Sequence, residues 1–223
     1  MRTAKNTTLA ALMAMAFMSA GFVMQPAAIA QDATPVAATE EDKTAARIKE
    51  SGEFVEIMVD DLREVALARE NGEDADLAAV FGRNLDIQGM QRRILSKSAR
   101  QSATDEEKAA YEELFPSYIA IIYADSIDNL VSRVIKVDDV IAHRSGAMIV
   151  KSRLFDKKGK PRVGIDWILR YKGDTPVLFD VSVDGQQKNT DLRAQFGSIV
   201  KRDGFGALVT HMQDKIDGKE TPA

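Results

Sequence analysis

Between residue 42 and about residue 69, apolar positions recur at helical spacing. Ile48, Val55, Val59, Leu62 and Ala66 fall three, four or seven apart and make one stripe. Ser51-Gly52 weakens the first part of this pattern. Asn71-Gly72 ends it, with glycine where helices commonly terminate. Shorter helical patterns follow over residues 74–83 and 88–100. Thr104-Asp105-Glu106-Glu107 is a capping box, in which the threonine caps one backbone N–H and the glutamate reaches back to another. Tyr111, Leu114, Phe115, Tyr118, Ile119, Ile122 and Tyr123 then hold the i, i+3, i+4, i+7 pattern. Pro116 lies inside that run, lacks an N–H and clashes with the preceding turn, which predicts a kink or a split.

The period then changes from 3.6 to 2. Met148, Val150 and Leu154 alternate with Lys151 and Arg153. Val163, Ile165, Trp167 and Leu169 alternate with Asp166 and Arg170. Val177, Phe179, Val181 and Val183 alternate with Asp180, Ser182 and Asp184. The short turns at residues 156–160 and 172–174 make these strands antiparallel neighbours, and residues 136–143 supply a fourth. Two closing helices are marked by Leu192, Phe196, Ile199 and Val200, ending at Asp203-Gly204, and by Leu208, Val209, Met212 and Ile216. Helices, a meander and more helices predict an α+β domain: an antiparallel sheet of about four strands with helices packed on one face.

The start of the chain has a different character. Arg2 and Lys5 precede an uncharged apolar run over residues 9–24, and Ala28-Ile29-Ala30 gives an A-x-A site. This reads as a secretory signal peptide over residues 1–30, cleaved before Gln31, and the run is too short for a permanent membrane helix. Residues 31–41, rich in Ala, Thr and Pro, read as a disordered spacer, leaving one domain over residues 42–218. Cleavage takes the net charge from −4 to −6. A mildly acidic chain has no general affinity for nucleic acid or anionic surfaces. Without cysteine there are no disulfides, thiolate nucleophiles or cysteine metal sites.

Candidate chemistry is sparse. His143 and His211 are far apart in sequence, so no metal site is expected. The carboxylates of Asp60-Asp61 and of Asp138-Asp139 are sequence neighbours, which point apart on a helix or strand. G-x-S-x-G, P-loop and dinucleotide motifs are all missing. Ser96 and Ser98 lie among Arg92, Arg93, Lys97 and Arg100, a basic group that is either a solvated helix face or a meeting point for a phosphate or a partner. No catalytic residue and no cofactor is expected.

Apolar surface remains. One sheet face offers Met148, Val150, Leu154, Val163, Ile165, Trp167, Leu169, Phe179 and Val181. Helices offer Phe54, Met58, Leu62, Tyr111, Phe115, Tyr118 and Ile122. Pattern alone does not separate a filled core from one that holds an apolar ligand.

Several segments carry a resemblance that bears on this choice. Asn84-Leu85-Asp86-Ile87, residues 104–130, Asp180-Val181-Ser182-Val183-Asp184-Gly185 and then Arg193-Ala194-Gln195-Phe196 resemble the MlaC family of periplasmic phospholipid-binding proteins. Asp203-Gly204-Phe205-Gly206-Ala207-Leu208 resembles the turn into that family's closing helix. The chain departs from the family pattern at Gln186-Gln187-Lys188-Asn189 and at Leu95-Ser96 and Ala99. The resemblance implies a fold like the nuclear-transport-factor cone and a monomeric periplasmic carrier. Such a carrier shuttles phospholipid between an outer-membrane lipoprotein–porin complex and an inner-membrane ABC transporter complex. It also implies that the apolar positions above other than Tyr111, together with Phe196, line the lipid cavity. The rival readings are a non-catalytic interaction module with a filled core, and an enzyme on a similar cone with Tyr118 or Asp166 as the acid/base.

Overall fold

The computed structural model describes residues 39–73 and 75–219. The expected signal peptide, and the expected spacer up to residue 38, lie outside the described residues. Thr39 to Glu41 are already ordered as a helix start: Thr39 and Asp42 form a capping box ahead of α1 (Glu40–Glu70). The helix is continuous through Ser51-Gly52. Ser51 is fully buried, and its hydroxyl meets the Tyr171 hydroxyl at 3.2 Å, so a residue that reads as a helix weakness is a contact with the sheet.

Short helices follow. α2 (Leu77–Asn84) is capped by Asp76, and α3 (Ile87–Ile94) by Asp86. The pattern over residues 88–100 is two helices, because the Ser96 hydroxyl accepts the Ala99 N–H at 3.1 Å and starts α4 (Lys97–Ser102) anew. The expected capping box at Thr104 and Glu107 opens α5 (Asp105–Asp128). Pro116 does not split α5. A 3₁₀ turn (Asn129–Ser132) leads into the sheet.

The sheet is an antiparallel meander in chain order: β1 (Val134–Ala142), β2 (Met148–Phe155), β3 (Pro161–Lys172), β4 (Thr175–Val183) and a two-residue β5 (Gln186–Gln187). Asp184 and Gly185 both have positive φ, 48° and 83°, the backbone that a two-residue hairpin needs. The Asp184 carboxylate also accepts the Gly164 N–H at 2.9 Å. Two irregularities matter. In β1 the register shifts between Val137 and Asp139, bulging Asp138 out, where it takes a two-pronged bond from Arg153 at 2.7 and 2.9 Å. In β4, Ile168 faces Asp180 but Leu169 faces Leu178, so Phe179 is the extra residue.

α6 (Lys188–Asp203) and α7 (Phe205–Ile216) close the chain around Gly204, whose φ of 90° suits glycine. Phe115, Tyr118, Phe196, Leu208 and Met212 are at most 1% exposed and fill the α5–α6–α7 side of the core. Tyr111 joins Phe115, Phe196 and Phe205 in tilted and edge-on ring contacts at 5.6–6.3 Å. Among the described residues, no helix is long and apolar enough to cross a membrane.

Candidate functional site

The core is not filled throughout. A cavity of about 180 Å³ lies between helices and sheet. α1 contributes Met58 and Leu62 to its wall, and α2, α3 and the loop between them contribute Phe81, Leu85 and Met90. The end of α5 and the 3₁₀ turn add Tyr123, Ile127 and Leu130. The sheet adds Ile135, Ile165, Trp167, Leu178, Val181 and Val183. These elements reach one another because α1 and α5 bury long apolar stripes and the sheet buries its alternate positions.

Trp167 borders the cavity with its polar atom satisfied elsewhere. Its Nε1 donates to the Ser152 hydroxyl at 2.9 Å, and that hydroxyl donates to the Ile165 carbonyl at 3.0 Å. The ring is left as apolar wall.

The polar lining is Ser126, Asp180, Lys188 and Asn189, and Asp180 and Asn189 meet at the end where β4 joins α6. The Asp180 carboxylate is 4% exposed. It accepts the N–H of Val181 at 2.8 Å and that of Asn189, in the first turn of α6, at 3.0 Å. Burial nevertheless pushes its pKa above the usual carboxylate range. The Tyr123 hydroxyl is also shifted upward, first by burial and then by the charges of Asp180 and Asp191. Asn189 donates from Nδ2 to the Phe179 carbonyl at 2.7 Å, while its buried Oδ1 has no partner among the described residues. This end of the cavity explains two motifs of the sequence. The first Asp of D-V-x-V-D-G anchors α6, and the last Asp with its Gly makes the hairpin. Arg193, eight residues further on, ties α6 to α3 through the Arg93 carbonyl at 2.7 Å.

Of the sixteen expected lining residues, Met58, Leu62, Ile165, Trp167 and Val181 border this cavity. Phe115, Tyr118, Met148, Val150, Leu154, Leu169 and Phe196 are buried in the surrounding core, and Phe54, Ile122 and Val163 pack partly buried against it. Phe179 stands outside that cluster. The β4 bulge places it under the Arg170 guanidinium, 3.3 Å from the ring centroid. The remaining residues of the cavity wall, Leu85 among them, are not among the sixteen expected. Leu85 sits in the Asn84-Leu85-Asp86-Ile87 segment, one of those that carry the family resemblance.

The two alternative acid/base candidates of the enzyme reading, Tyr118 and Asp166, lie in different parts of the fold. Tyr118 is buried on the helical side, its hydroxyl pushed up to about 12 by burial and 3.5 Å from His211 Nε2. Asp166 alternates with Trp167 and so lies on the opposite sheet face. Among the adjacent carboxylates, Asp60 pairs with Arg63, Asp61 with Arg83 and Asp138 with Arg153.

Comparison with known proteins bears on what the cavity is for. A family model described as MlaC protein matches residues 53–214. No curated protein matches the chain significantly in sequence. Among solved structures, the chain is similar to a phospholipid-binding protein from Ralstonia solanacearum in complex with a phospholipid. The TM-score is 0.60 at 18% identity, covering 76% of this chain and 98% of that one.

Proposed function

This chain belongs to the MlaC protein family, and on that premise we propose that it is a periplasmic phospholipid carrier. It holds acyl chains in the cavity bordered by Met58, Leu62 and Trp167, and passes lipid between an outer-membrane lipoprotein–porin complex and an inner-membrane ABC transporter. The observation that carries this reading is the cavity itself, whose wall is apolar except for Ser126, Asp180, Lys188 and Asn189. Exposing acyl chains to water costs about 0.8 kcal/mol per CH₂, so a two-chain lipid needs such shelter to cross an aqueous space. Sheltering needs a dry space and a way to open it, and no catalytic group.

Size adds a requirement. A cavity of roughly 150 Å³ takes one benzene ring, so about 180 Å³ is too small for two acyl chains. Loading therefore requires the wall to part. The 3₁₀ turn and the α2–α3 pair are the short elements of that wall, and movement there is the least disruptive way to enlarge it.

The test is direct. Protein purified from the periplasm should yield phospholipid on extraction and mass spectrometry. Phospholipid brominated on its chains should quench Trp167, the only tryptophan, and unbrominated lipid should not. Absence of any extracted lipid, with no quenching on loading, would leave the filled-core interaction module as the better account.

A further inference from the structure

A second cleft, of about 320 Å³, lies on the far side of α3 from the cavity and shares no lining residue with it. α3, α4, α5 and the start of α7 form its walls. Arg92, Arg100 and Lys108 line it, against the single carboxylate of Glu112. The fold fixes two of its side chains. Arg100 Nη1 donates to the carbonyls of Arg92 at 2.8 Å and Leu95 at 2.6 Å, pinning the guanidinium across the α3–α4 junction. Gln91 Nε2 donates to the Glu112 carbonyl at 3.1 Å. Lys108 is held by the exposed Asp105 carboxylate at 3.0 Å.

Tyr111 is at the floor of this cleft. It is 3% exposed, and its hydroxyl has no hydrogen-bond partner among the described residues. Burial drives the hydroxyl's pKa far up. Arg100 acts to lower it and Glu112 to raise it, and all three residues line the same cleft. A buried hydroxyl without an acceptor is a standing deficit in a folded protein. An anion that the cations draw to the floor of the cleft would supply that acceptor.

We infer that this cleft is an oxyanion site that takes the phosphate group of a phosphate ester. The guanidinium fork of Arg92, and the Nε–Nη2 edge of Arg100 whose Nη1 is held by the backbone carbonyls, match phosphate oxygens two at a time. Lys108 adds charge, and the apolar sides of Leu95 and Phe205 leave room for the esterified group. The phosphate belongs either to a soluble ester or to a lipid headgroup at a membrane surface, and the chemistry of recognition is the same.

An amide NMR titration with inorganic phosphate tests it, with sodium chloride at equal ionic strength as the control. Saturable shifts confined to residues 88–112 and the start of α7 are expected. The double variant Arg92→Gln/Lys108→Gln, which changes two outward-facing side chains, should weaken binding at least tenfold. Tyr111→Phe keeps the ring contacts and should also weaken it. Titration with sn-glycerol 3-phosphate, and flotation with vesicles of phosphatidylglycerol in phosphatidylcholine, then identify the source. Flotation lost in the double variant assigns the site to a headgroup, and binding of the soluble ester without flotation assigns it to a soluble phosphate. Shifts that chloride reproduces, or that survive the double variant in full, overturn the inference.

Discussion

Asp180 is a buried carboxylate at the edge of an apolar cavity, and its pKa is raised where those of Asp86, Asp138 and Asp156 are lowered. Burial raises its pKa in the folded state above the unfolded value of about 3.9. The folded state therefore binds this proton more readily than the unfolded chain. Stability falls as pH climbs from the ordinary carboxylate pKa through the raised one, and at neutral pH the ionised form carries a penalty. Asp180→Asn removes the charge and keeps an acceptor oxygen for Val181 and Asn189. Thermal unfolding across pH should show the variant gaining on the wild type from pH 4 to pH 7, by a few degrees, with the gap closing below pH 4. A gap that is constant with pH would mean that the hydrogen bonds, not burial, decide the balance.

α3 shows the contrary case at the scale of an element. Asp86 caps it by accepting the Gly89 N–H at 3.0 Å, donates its own N–H to the Leu178 carbonyl at 2.8 Å and pairs with Lys172 of β3 at 2.7 Å. Burial works to raise this carboxyl's pKa, but Lys172 and the Gly89 N–H outweigh it and hold the pKa below the usual range. Its contribution is thus present above the unfolded pKa and lost as pH falls through the folded one. Asp86→Ala should cost about 1–2 kcal/mol by urea unfolding. Asp86→Asn keeps the cap and should cost less than about 1 kcal/mol, since Lys172 is half exposed. A Cβ at Gly89 would collide with the Asp86 carboxylate, so a side chain there displaces the cap. Most elements were legible because their signals are local: the box at Thr104, the Asp184-Gly185 turn, the period-2 strands. The break at Ser96 was missed although Ser96 is an ordinary cap, because the basic residues on either side read as one polar helix. The cavity was less legible than the core. Periodicity identifies which face is buried, but the β4 bulge and the α2–α3 junction decide which buried side chains border empty space. Phe179 and Leu85 exchanged roles for that reason.

At the scale of the whole molecule, the proposed cargo is part of the fold's stability. Any ligand that binds only the folded state stabilises it by mass action, by about 2.7 kcal/mol at a hundredfold excess over Kd. For a domain of this size that is roughly 5–11 °C in melting temperature. Stripping lipid from the purified protein should lower its melting temperature by that order, and adding phospholipid should restore it. An unchanged melting curve after verified delipidation would argue that the apolar wall closes on itself when empty.

The bulge at Asp138 bears on how much of this protein a compartment can hold. β1 is the long outer edge of the sheet, with no strand paired beyond it among the described residues. Val134 and Ile141, near its two ends, are 49% and 40% exposed. An edge of that kind is a template on which a second chain can grow a sheet. The extra residue breaks the edge in its middle, and Asp138, paired with Arg153 of β2, puts a carboxylate at that break. Asp138→Val should leave unfolding free energy within about 1 kcal/mol of the wild type, because exposed pairs are worth little. Light scattering of concentrated samples should nevertheless rise well above the wild type's. This one residue would then set the crowding the protein withstands while leaving its thermodynamic stability almost unchanged.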